Sequence, residues 1–237
     1  MRVIIILSML FFSYATPNIT WASLPNAAIN PIQIYGQEYK FDIQRNGKKI
    51  GSHHLRFSQQ GDTLTVNAKT RIKVKLLFLT LYEFTYDCTE VWDNQVLKKL
   101  DAVVNDNGKK YTITGTAKDG TFIVKNNRNE NAQVEVISGL IFPTNHWHKK
   151  VIQQNRVLNT LTGYVNEVDI TKQPPEKISI QDHSITAHRY EYSGQLQTTA
   201  WYDEQGRWVK LAFDGEDGAE IEYICAGCTN IAEIQSE

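Results

Sequence analysis

The sequence predicts an all-β protein: a highly curved antiparallel sheet, either a spiral β-roll or barrel-like, with one α-helix near 145–161. Two observations predict the strands. Apolar and polar residues alternate with a period of two along most of the chain, and short polar turns recur at short intervals. Alternate side chains of a strand face opposite sides of a sheet, so this pattern is typical of antiparallel hairpins. A single segment with helical spacing interrupts it.

The first residues have the features of a secretory signal peptide. Arg2 precedes an apolar run, Val3 to Phe12, that is too short to span the ~30 Å hydrocarbon core of a bilayer as a helix. Small residues at Thr20 and Ala22 predict cleavage after Ala22. A cut within "SYAT" and a retained N-terminal anchor are the alternatives.

Cleavage after that residue gives a signal peptide at 1–22 and a single β-roll domain at 23–237, which we expect in the periplasm. The whole chain has 25 Lys and Arg against 26 Asp and Glu, and only Arg2 is removed. The remaining domain has no basic excess that would indicate nucleic acid or an anionic membrane surface as a partner. No second long apolar run follows, so we expect no transmembrane segment after cleavage.

Hairpins account for most of the predicted domain. In "YKFDIQRNGKKIGSHHLRFS", Tyr39, Phe41 and Ile43 share one face, and Asn46-Gly47 supplies the positive φ values that a tight turn needs. The next hairpin turns at Gly61-Asp62. In "LLFLTLYEFTYDCTEVW", one face of the predicted strand carries Tyr82, Phe84, Tyr86, Cys88 and Trp92.

The segment "PTNHWHKKVIQQNRVLNTLTG" has helical spacing. It begins at Pro143 with Thr144 as a candidate N-cap, and Gly163 can cap its C-terminus. These signals predict the helix near 145–161, which divides the chain into two β halves. The apolar residues expected on one side of it are Trp147, Val151, Leu158 and Leu161.

Cys225 and Cys228 are separated by Ala and Gly at the end of the last predicted strand. In an oxidising compartment a structural disulfide is the default for such a pair. A redox-active pair would need a helix N-terminus in a βαβ context, and a zinc site would need further ligands at matched spacing. Cys88 could instead pair with one of the two.

Motifs that carry catalysis are scarce. The sequence has no nucleophile elbow, phosphate-binding loop or dinucleotide-binding motif. His146 and His148 could share a metal on a strand, but in the predicted helix they point in nearly opposite directions. The sequence therefore predicts no catalytic residues, no metal and no cofactor, and favours a protein that is not an enzyme. The alternative is a hydrolase or metal-dependent enzyme that uses these histidines or the carboxylates of "DGEDG" and "DEQG".

Aromatic residues are the remaining signal for function. They can simply fill a β core, or they can line an apolar cavity inside a curved sheet that holds an acyl chain or a similar ligand. The residues predicted to line such a cavity are Tyr82, Phe84, Tyr86, Trp92, Trp201 and Trp208.

Several motifs in the same order give the chain a family resemblance. The most specific are "NGKKIGSH", "TEVW" and "WYDEQGRWVKL", with "FPTNHW" between the last two. From about Tyr39 to Tyr223 the sequence resembles a family of uncharacterised exported proteins of Proteobacteria, a domain of unknown function. More distantly, it is similar to periplasmic envelope-integrity proteins whose strands wind into a spiral β-roll. The resemblance implies a curved sheet with a helix packed against it, and it implies no catalytic residues.

We therefore expect a non-enzymatic periplasmic protein of the cell envelope. Its partner would be a lipid or other apolar ligand, or another envelope protein. A pure protein-interaction scaffold that binds partners through an exposed edge strand is a further alternative.

Overall fold

The computed structural model describes residues 30–129, 132–181 and 183–228. The predicted signal peptide lies outside the described residues. Within them the protein is all-β: 14 strands form one antiparallel sheet, accompanied by a short α-helix, α1 (Pro31–Tyr35), and a 3-10 helix (Lys149–Gln153). None of the described helices is long and apolar enough to cross a membrane.

Most strands follow one another along the chain through short connections, and the longest connection, residues 139–155, joins β8 to β9. In chain order they are β1 (Glu38–Arg45), β2 (Lys48–Gln60), β3 (Thr63–Leu76), β4 (Leu79–Asp93), β5 (Val96–Asp106), β6 (Lys109–Lys118), β7 (Thr121–Asn126), β8 (Gln133–Ser138), β9 (Arg156–Leu158), β10 (Val165–Ile180), β11 (His183–Gly194), β12 (Thr198–Asp203), β13 (Trp208–Asp214) and β14 (Glu220–Cys225).

The first and last strands pair with each other in the middle of the sheet. The order is β8-β7-β6-β5-β4-β3-β2-β1-β14-β13-β12-β11-β10-β9. At the seam, Phe41 of β1 lies opposite Cys225 of β14. The edge strands β8 and β9 are therefore consecutive in sequence, and the order of the described strands does not close into a ring.

Turns with the predicted chemistry set the register of the hairpins. Asn46 and Gly47 both have positive φ, 48° and 75°, and so do Asn107 and Gly108. Asn and Gly reach this left-handed region at low cost, which is why they form two-residue hairpin loops. The prediction of antiparallel hairpins is confirmed in this part of the chain.

The predicted helix at 145–161 is wrong. Only the five residues of the 3-10 helix are helical there, and β9 follows within the predicted range. His146 has a φ of 58°, which ends right-handed helical geometry at the start of the segment. Pro143 also bridges Leu158 in parallel, so the two ends of the predicted helix lie side by side. Trp147, Val151 and Leu158 are buried, but Leu161 is 40% exposed, so the four residues with helical spacing do not share one buried face.

The segment from β8 to β10, residues 139–164, includes the short edge strand β9. It packs against both halves of the sheet, which are β1–β8 and β9–β14. The Trp147 ring lies 5.7 Å from Phe57 of β2 and 5.4 Å from Trp92 of β4, measured between ring centroids. On the other side, the Tyr202 hydroxyl of β12 donates to the His146 carbonyl at 2.8 Å. The buried core therefore continues across the segment from one half to the other.

Candidate ligand site

A cleft of about 190 Å³ opens where the two halves of the sheet and the segment 144–161 meet. Strand β4 supplies Phe84 and Tyr86, and β13 supplies the apolar wall opposite. Two histidines, His53 and His146, lie among these aromatic and aliphatic side chains. The residues of β13 that line the cleft are Trp208, Leu211 and Phe213.

His53 on β2 is a buried histidine with one unused nitrogen. Its Nδ1 lies 2.8 Å from the Thr70 hydroxyl oxygen, and its Nε2 has no hydrogen-bond partner among the described residues. Burial, with smaller contributions from the nearby His54 and His146, lowers the pKa of His53 to about 3. The imidazole is therefore neutral at pH 7, and its Nε2 can take part in a hydrogen bond with a ligand.

His146 faces the same cleft from the segment between the sheet halves. Its side chain is buried, its backbone is left-handed, and its Nδ1 lacks a partner within the described part of the chain. Burial lowers the pKa of His146 to about 4. A left-handed backbone at a residue other than Gly costs about 1–3 kcal/mol, and such residues cluster at functional sites.

Trp208 lies between the two histidines. Its ring centroid is 5.6 Å from that of His53 and 5.6 Å from that of His146. Tyr192 approaches His146 at the same ring distance, and its hydroxyl also has no partner among the residues that are described. The arrangement places unpaired polar atoms beside a large apolar surface, as in a site for an amphipathic molecule.

The lining of the larger cleft combines apolar side chains with uncharged polar ones. The described residues that line the cleft include hydroxyls, amides and imidazoles, but no Asp, Glu, Cys or Lys. No group of three or more His, Cys, Asp or Glu in the described ranges is arranged to hold a metal ion. Both imidazoles are neutral at pH 7, and the polar groups beside them include the Thr70 hydroxyl, whose oxygen is 2.8 Å from His53 Nδ1.

Behind the cleft, a fully buried carboxylate holds the segment in place. Glu90 Oε2 accepts hydrogen bonds from the indole nitrogens of Trp92 at 2.8 Å and Trp147 at 2.9 Å. Glu90 Oε1 accepts from Asn145 Nδ2, and the Tyr86 hydroxyl donates to Asn145 Oδ1 at 2.9 Å. Burial raises the pKa of Glu90, while the three N–H donors act in the opposite direction. The motifs "TEVW" and "FPTNHW" thus meet at one side chain.

Tyr35 of α1 connects the segment to the start of β13. The Tyr35 hydroxyl of α1 donates to the Trp147 carbonyl at 2.8 Å and accepts from the Trp208 backbone N–H at 3.0 Å. In "WYDEQGRWVKL", a buried ion pair joins Arg207 Nε to Asp203 Oδ2 at 2.6 Å. The Tyr35 hydroxyl therefore holds the backbone of Trp147, the residue after His146, close to β13.

The predicted ligand-lining residues separate into three groups. Phe84, Tyr86 and Trp208 line the cleft, whereas Trp92 lines a smaller one of about 120 Å³. Tyr82 is half-buried and donates to Asp106 at 2.9 Å. Trp201 is buried, and its indole nitrogen donates to Glu176 at 2.6 Å.

The two histidines of the enzymatic alternative lie in different places. His146 lines the larger cleft, and His148 lines the smaller one. His53 completes the candidate site and was not among the predicted residues. The alternating pattern of β2 could have assigned His53 to the buried face, because it is two residues from Leu55.

The cysteines of "CAGC" form a disulfide at the end of β14. Both are buried; the Tyr39 hydroxyl contacts Cys228 Sγ at 2.6 Å, and His183 Nε2 contacts the Cys228 carbonyl at 2.5 Å. Buried sulfurs are typical of a structural rather than a redox-active disulfide. Cys88 is free and buried, and burial raises the pKa of its thiol.

These features occur within a recognised family. The family model described as "Domain of unknown function (DUF6134)" matches residues 41–226. The chain therefore belongs to the DUF6134 family, and the matched residues contain all four motifs described above.

A solved structure shares the fold. It is the crystal structure of a beta-barrel-like protein of domain of unknown function DUF1849 from Brucella abortus, with a TM-score of 0.56. The two chains are 12% identical, and the match covers 80% of this chain and 94% of the other. At this identity the likeness concerns the fold alone. No curated protein matches the chain.

Proposed function

We propose that the protein is a non-enzymatic envelope protein that binds an amphipathic, lipid-like ligand in the larger cleft through a polar group and the short apolar segment beside it. The observation that carries the proposal is the pair of unpartnered nitrogens, His53 Nε2 and His146 Nδ1, among apolar walls. A buried polar atom without a partner costs about 1–3 kcal/mol. A bound ligand that supplies the missing hydrogen bonds would recover part of that cost.

The size of the cleft limits what it can hold. About 190 Å³ is somewhat more than a ~150 Å³ cavity that binds benzene, and less than the ~300–1,000 Å³ of sites for drug-sized ligands. The cleft suits one ring or a short aliphatic segment with a polar group beside it. The rest of the ligand would lie outside, over Leu161 and Leu196 at the rim.

Strong curvature of the sheet belongs to the same proposal. Arg156 of the edge strand β9 donates to the Ser138 carbonyl of the opposite edge strand β8 at 3.4 Å. This contact between the two ends of the strand order supports a sheet that curls around the segment 139–155. The cleft would then lie inside the curl.

The periplasmic location is also part of the proposal, and it depends on the N-terminal sequence. Cleavage and export can be checked by N-terminal sequencing of the protein recovered from a periplasmic extract. A new N-terminus at Ser23 is expected, whereas an intact Met1 in the cytoplasm would contradict export.

Ligand binding can be tested with a dansyl-labelled fatty acid titrated into the purified domain, residues 23–237. Leu196→Trp should fill the rim and weaken binding about tenfold or more, because it removes the space for the apolar segment. Leu140→Trp is the control, since Leu140 is exposed outside the cleft. Native mass spectrometry of the protein from a periplasmic extract should show an added mass that Leu196→Trp reduces. Absence of both the added mass and probe binding would contradict the proposal.

A further inference from the structure

Most polar side chains that line the larger cleft already have hydrogen-bond partners within the protein. Asn145 donates to Glu90 and accepts from the Tyr86 hydroxyl. Asn159 Oδ1 accepts from the Leu161 backbone N–H at 3.0 Å. The threonines of the lining that are bonded in the same way are Thr70 to His53, Thr144 to the Thr160 backbone N–H, and Thr198 to the Ala212 carbonyl.

Two buried nitrogens of the lining, His53 Nε2 and His146 Nδ1, have no such partner among the described residues. Each histidine exposes only 4% of its surface. Burial lowers the pKa of the two imidazoles to about 3 and about 4, so both are neutral at pH 7. A neutral imidazole has one N–H donor and one acceptor nitrogen, and the tautomer decides which nitrogen is the donor. A group that fits both free nitrogens in every tautomer must therefore be able to donate and to accept.

The cleft offers no counter-charge to an ionised ligand. Within the described ranges, its lining contains no Asp, Glu, Lys or Arg. Lys69 and Arg71 flank Thr70 on β3, but successive residues of a strand face opposite sides of the sheet. The lysines and arginines that are next to a lining residue in sequence are each paired with a carboxylate: Lys69 and Arg71 with Asp87, Arg207 with Asp203, and Lys210 with Glu222.

We propose that the polar group bound in this cleft is an uncharged hydroxyl, so that the protein selects lipid-like alcohols over ligands with an ionised head group. This inference rests on the proposed function and adds the chemistry of the head group. A hydroxyl has one O–H donor and two acceptor lone pairs, so it can bond His53 and His146 in either tautomer. It is also small enough to leave room for an apolar segment in a cleft of about 190 Å³.

Ionised head groups fit the cleft poorly for two reasons. A carboxylate can only accept hydrogen bonds and an ammonium can only donate them, so each fits one tautomer of a histidine and not the other. Each would also lose its water in the cleft without gaining an opposite charge, and burying an unpaired charge is costly. The preference for a hydroxyl should therefore be visible in affinities.

Isothermal titration calorimetry of the purified protein at pH 7 tests the preference. The ligands are 1-decanol, decanoate and decylamine, which have chains of the same length and differ in the polar group. We expect decanol to bind about tenfold more tightly than either ion, or better. Leu196→Trp should weaken decanol binding about tenfold, which would locate the alcohol in the cleft, whereas Leu140→Trp should not.

A charge added to the lining should change the preference. Gln197 lines the cleft and is exposed, so Gln197→Lys should leave the Tm unchanged. The new ammonium group should raise the affinity for decanoate relative to decanol about fivefold. Gln133→Lys is the matched control, because Gln133 is exposed and lies outside the lining, and it should leave the ratio of affinities unchanged.

His53→Phe removes one of the two free nitrogens and keeps a ring of similar size. Decanol affinity should fall about fivefold, because one hydrogen bond to the hydroxyl is lost. His54→Phe is the control, since His54 is the exposed neighbour of His53. A urea unfolding curve shows whether each variant is folded. If His53→Phe does not fold, the comparison of the three ligands on the unmodified protein still decides.

The outcomes separate this inference from the proposed function. Decanoate or decylamine that binds as tightly as decanol, at a site blocked by Leu196→Trp, would overturn the hydroxyl and leave the proposed function standing. Decanol binding that Leu196→Trp leaves unchanged would place the alcohol outside the cleft and would also overturn the inference. No binding of the three compounds would overturn it as well and would assign the free nitrogens to water. The dansyl probe and the native mass spectrum then decide separately on the proposed function.

Discussion

Glu90 is the clearest case of one residue that organises its surroundings. It is fully buried, and three N–H groups from Trp92, Asn145 and Trp147 point at its carboxylate. None of the described lysines or arginines pairs with it among the ion pairs of the structure. The hydrogen bonds therefore replace water around the carboxylate and fix where the segment sits.

Two replacements of Glu90 test whether the fold needs a hydrogen-bond acceptor at this position or a negative charge. Glu90→Ala should lower the free energy of unfolding by about 3–5 kcal/mol, because three buried donors lose their acceptor. Glu90→Gln retains one oxygen for the two indoles and should cost clearly less. Urea unfolding followed by tryptophan fluorescence measures both. Similar losses for the two variants would show that the charge, not the hydrogen bonding, is what matters.

At the scale of elements, α1 links the segment between β8 and β9 to β13 through one hydroxyl. The Tyr35 hydroxyl is bonded to backbone groups of Trp147 and Trp208, 61 residues apart in sequence. Asn30 caps the helix by accepting from the Ile32 backbone N–H at 3.1 Å, and Pro31 starts it. Five residues cannot form a stable helix alone, so α1 exists because of this docking.

Tyr35→Phe tests the docking. It leaves a buried N–H and a buried carbonyl without partners, and each should cost about 1–3 kcal/mol of unfolding free energy. Tyr82→Phe is the control, because the Tyr82 hydroxyl bonds Asp106 where water can replace it, and the loss should be about 1 kcal/mol or less. Denaturant unfolding of both variants provides the comparison. Equal losses of unfolding free energy would mean that the hydrogen bonds of the Tyr35 hydroxyl stabilise the fold no more than the hydrogen bond of the Tyr82 hydroxyl.

The elements that the sequence predicts well are those whose signals are local. Asn46-Gly47 and Asn107-Gly108 specify hairpins through their own backbone preferences, and alternation beside them assigns the buried face. The helix prediction at 145–161 failed because the position of Trp147 depends on Glu90 and Tyr35. These contacts span 57 and 112 residues and leave no periodic trace in the sequence. The candidate site has the same origin, since His53 and His146 meet only once both halves are folded.

At the scale of the whole molecule, stability should depend on pH through buried histidines. The pKa values of His53 and His146 are lowered to about 3 and about 4, whereas in the unfolded chain they are near 6.5. Between pH 6.5 and pH 4 the unfolded chain therefore binds more protons than the folded one, and stability falls as the pH falls. The raised pKa of Glu90 acts in the opposite direction and offsets part of the loss.

His146→Asn measures how much of the pH dependence of stability comes from His146. Asn is chosen because it tolerates the left-handed backbone at this position. Between pH 7 and pH 5, the variant should lose about 2 kcal/mol less unfolding free energy than the unmodified protein. His54→Asn is the control. The exposed neighbour of His53 also has a lowered pKa, but it is mostly solvated and should change the slope less. Urea titrations at the two pH values give the result, and parallel pH profiles for His146→Asn and the unmodified protein would contradict the assignment.

The pairing of β1 with β14 in the centre of the sheet has a consequence for biosynthesis. The ribosome makes β1 about 180 residues before β14, which at 5–20 residues per second is roughly 10–40 s. During that interval one side of β1 is an unprotected edge that could recruit another nascent chain. The charged residues of "EYKFDIQR" suit this exposure: Glu38, Lys40 and Asp42 alternate with the apolar positions. β1 therefore has the charged residues that are typical of an edge strand, although it lies in the interior of the complete sheet, because it is an edge strand until β14 has been made.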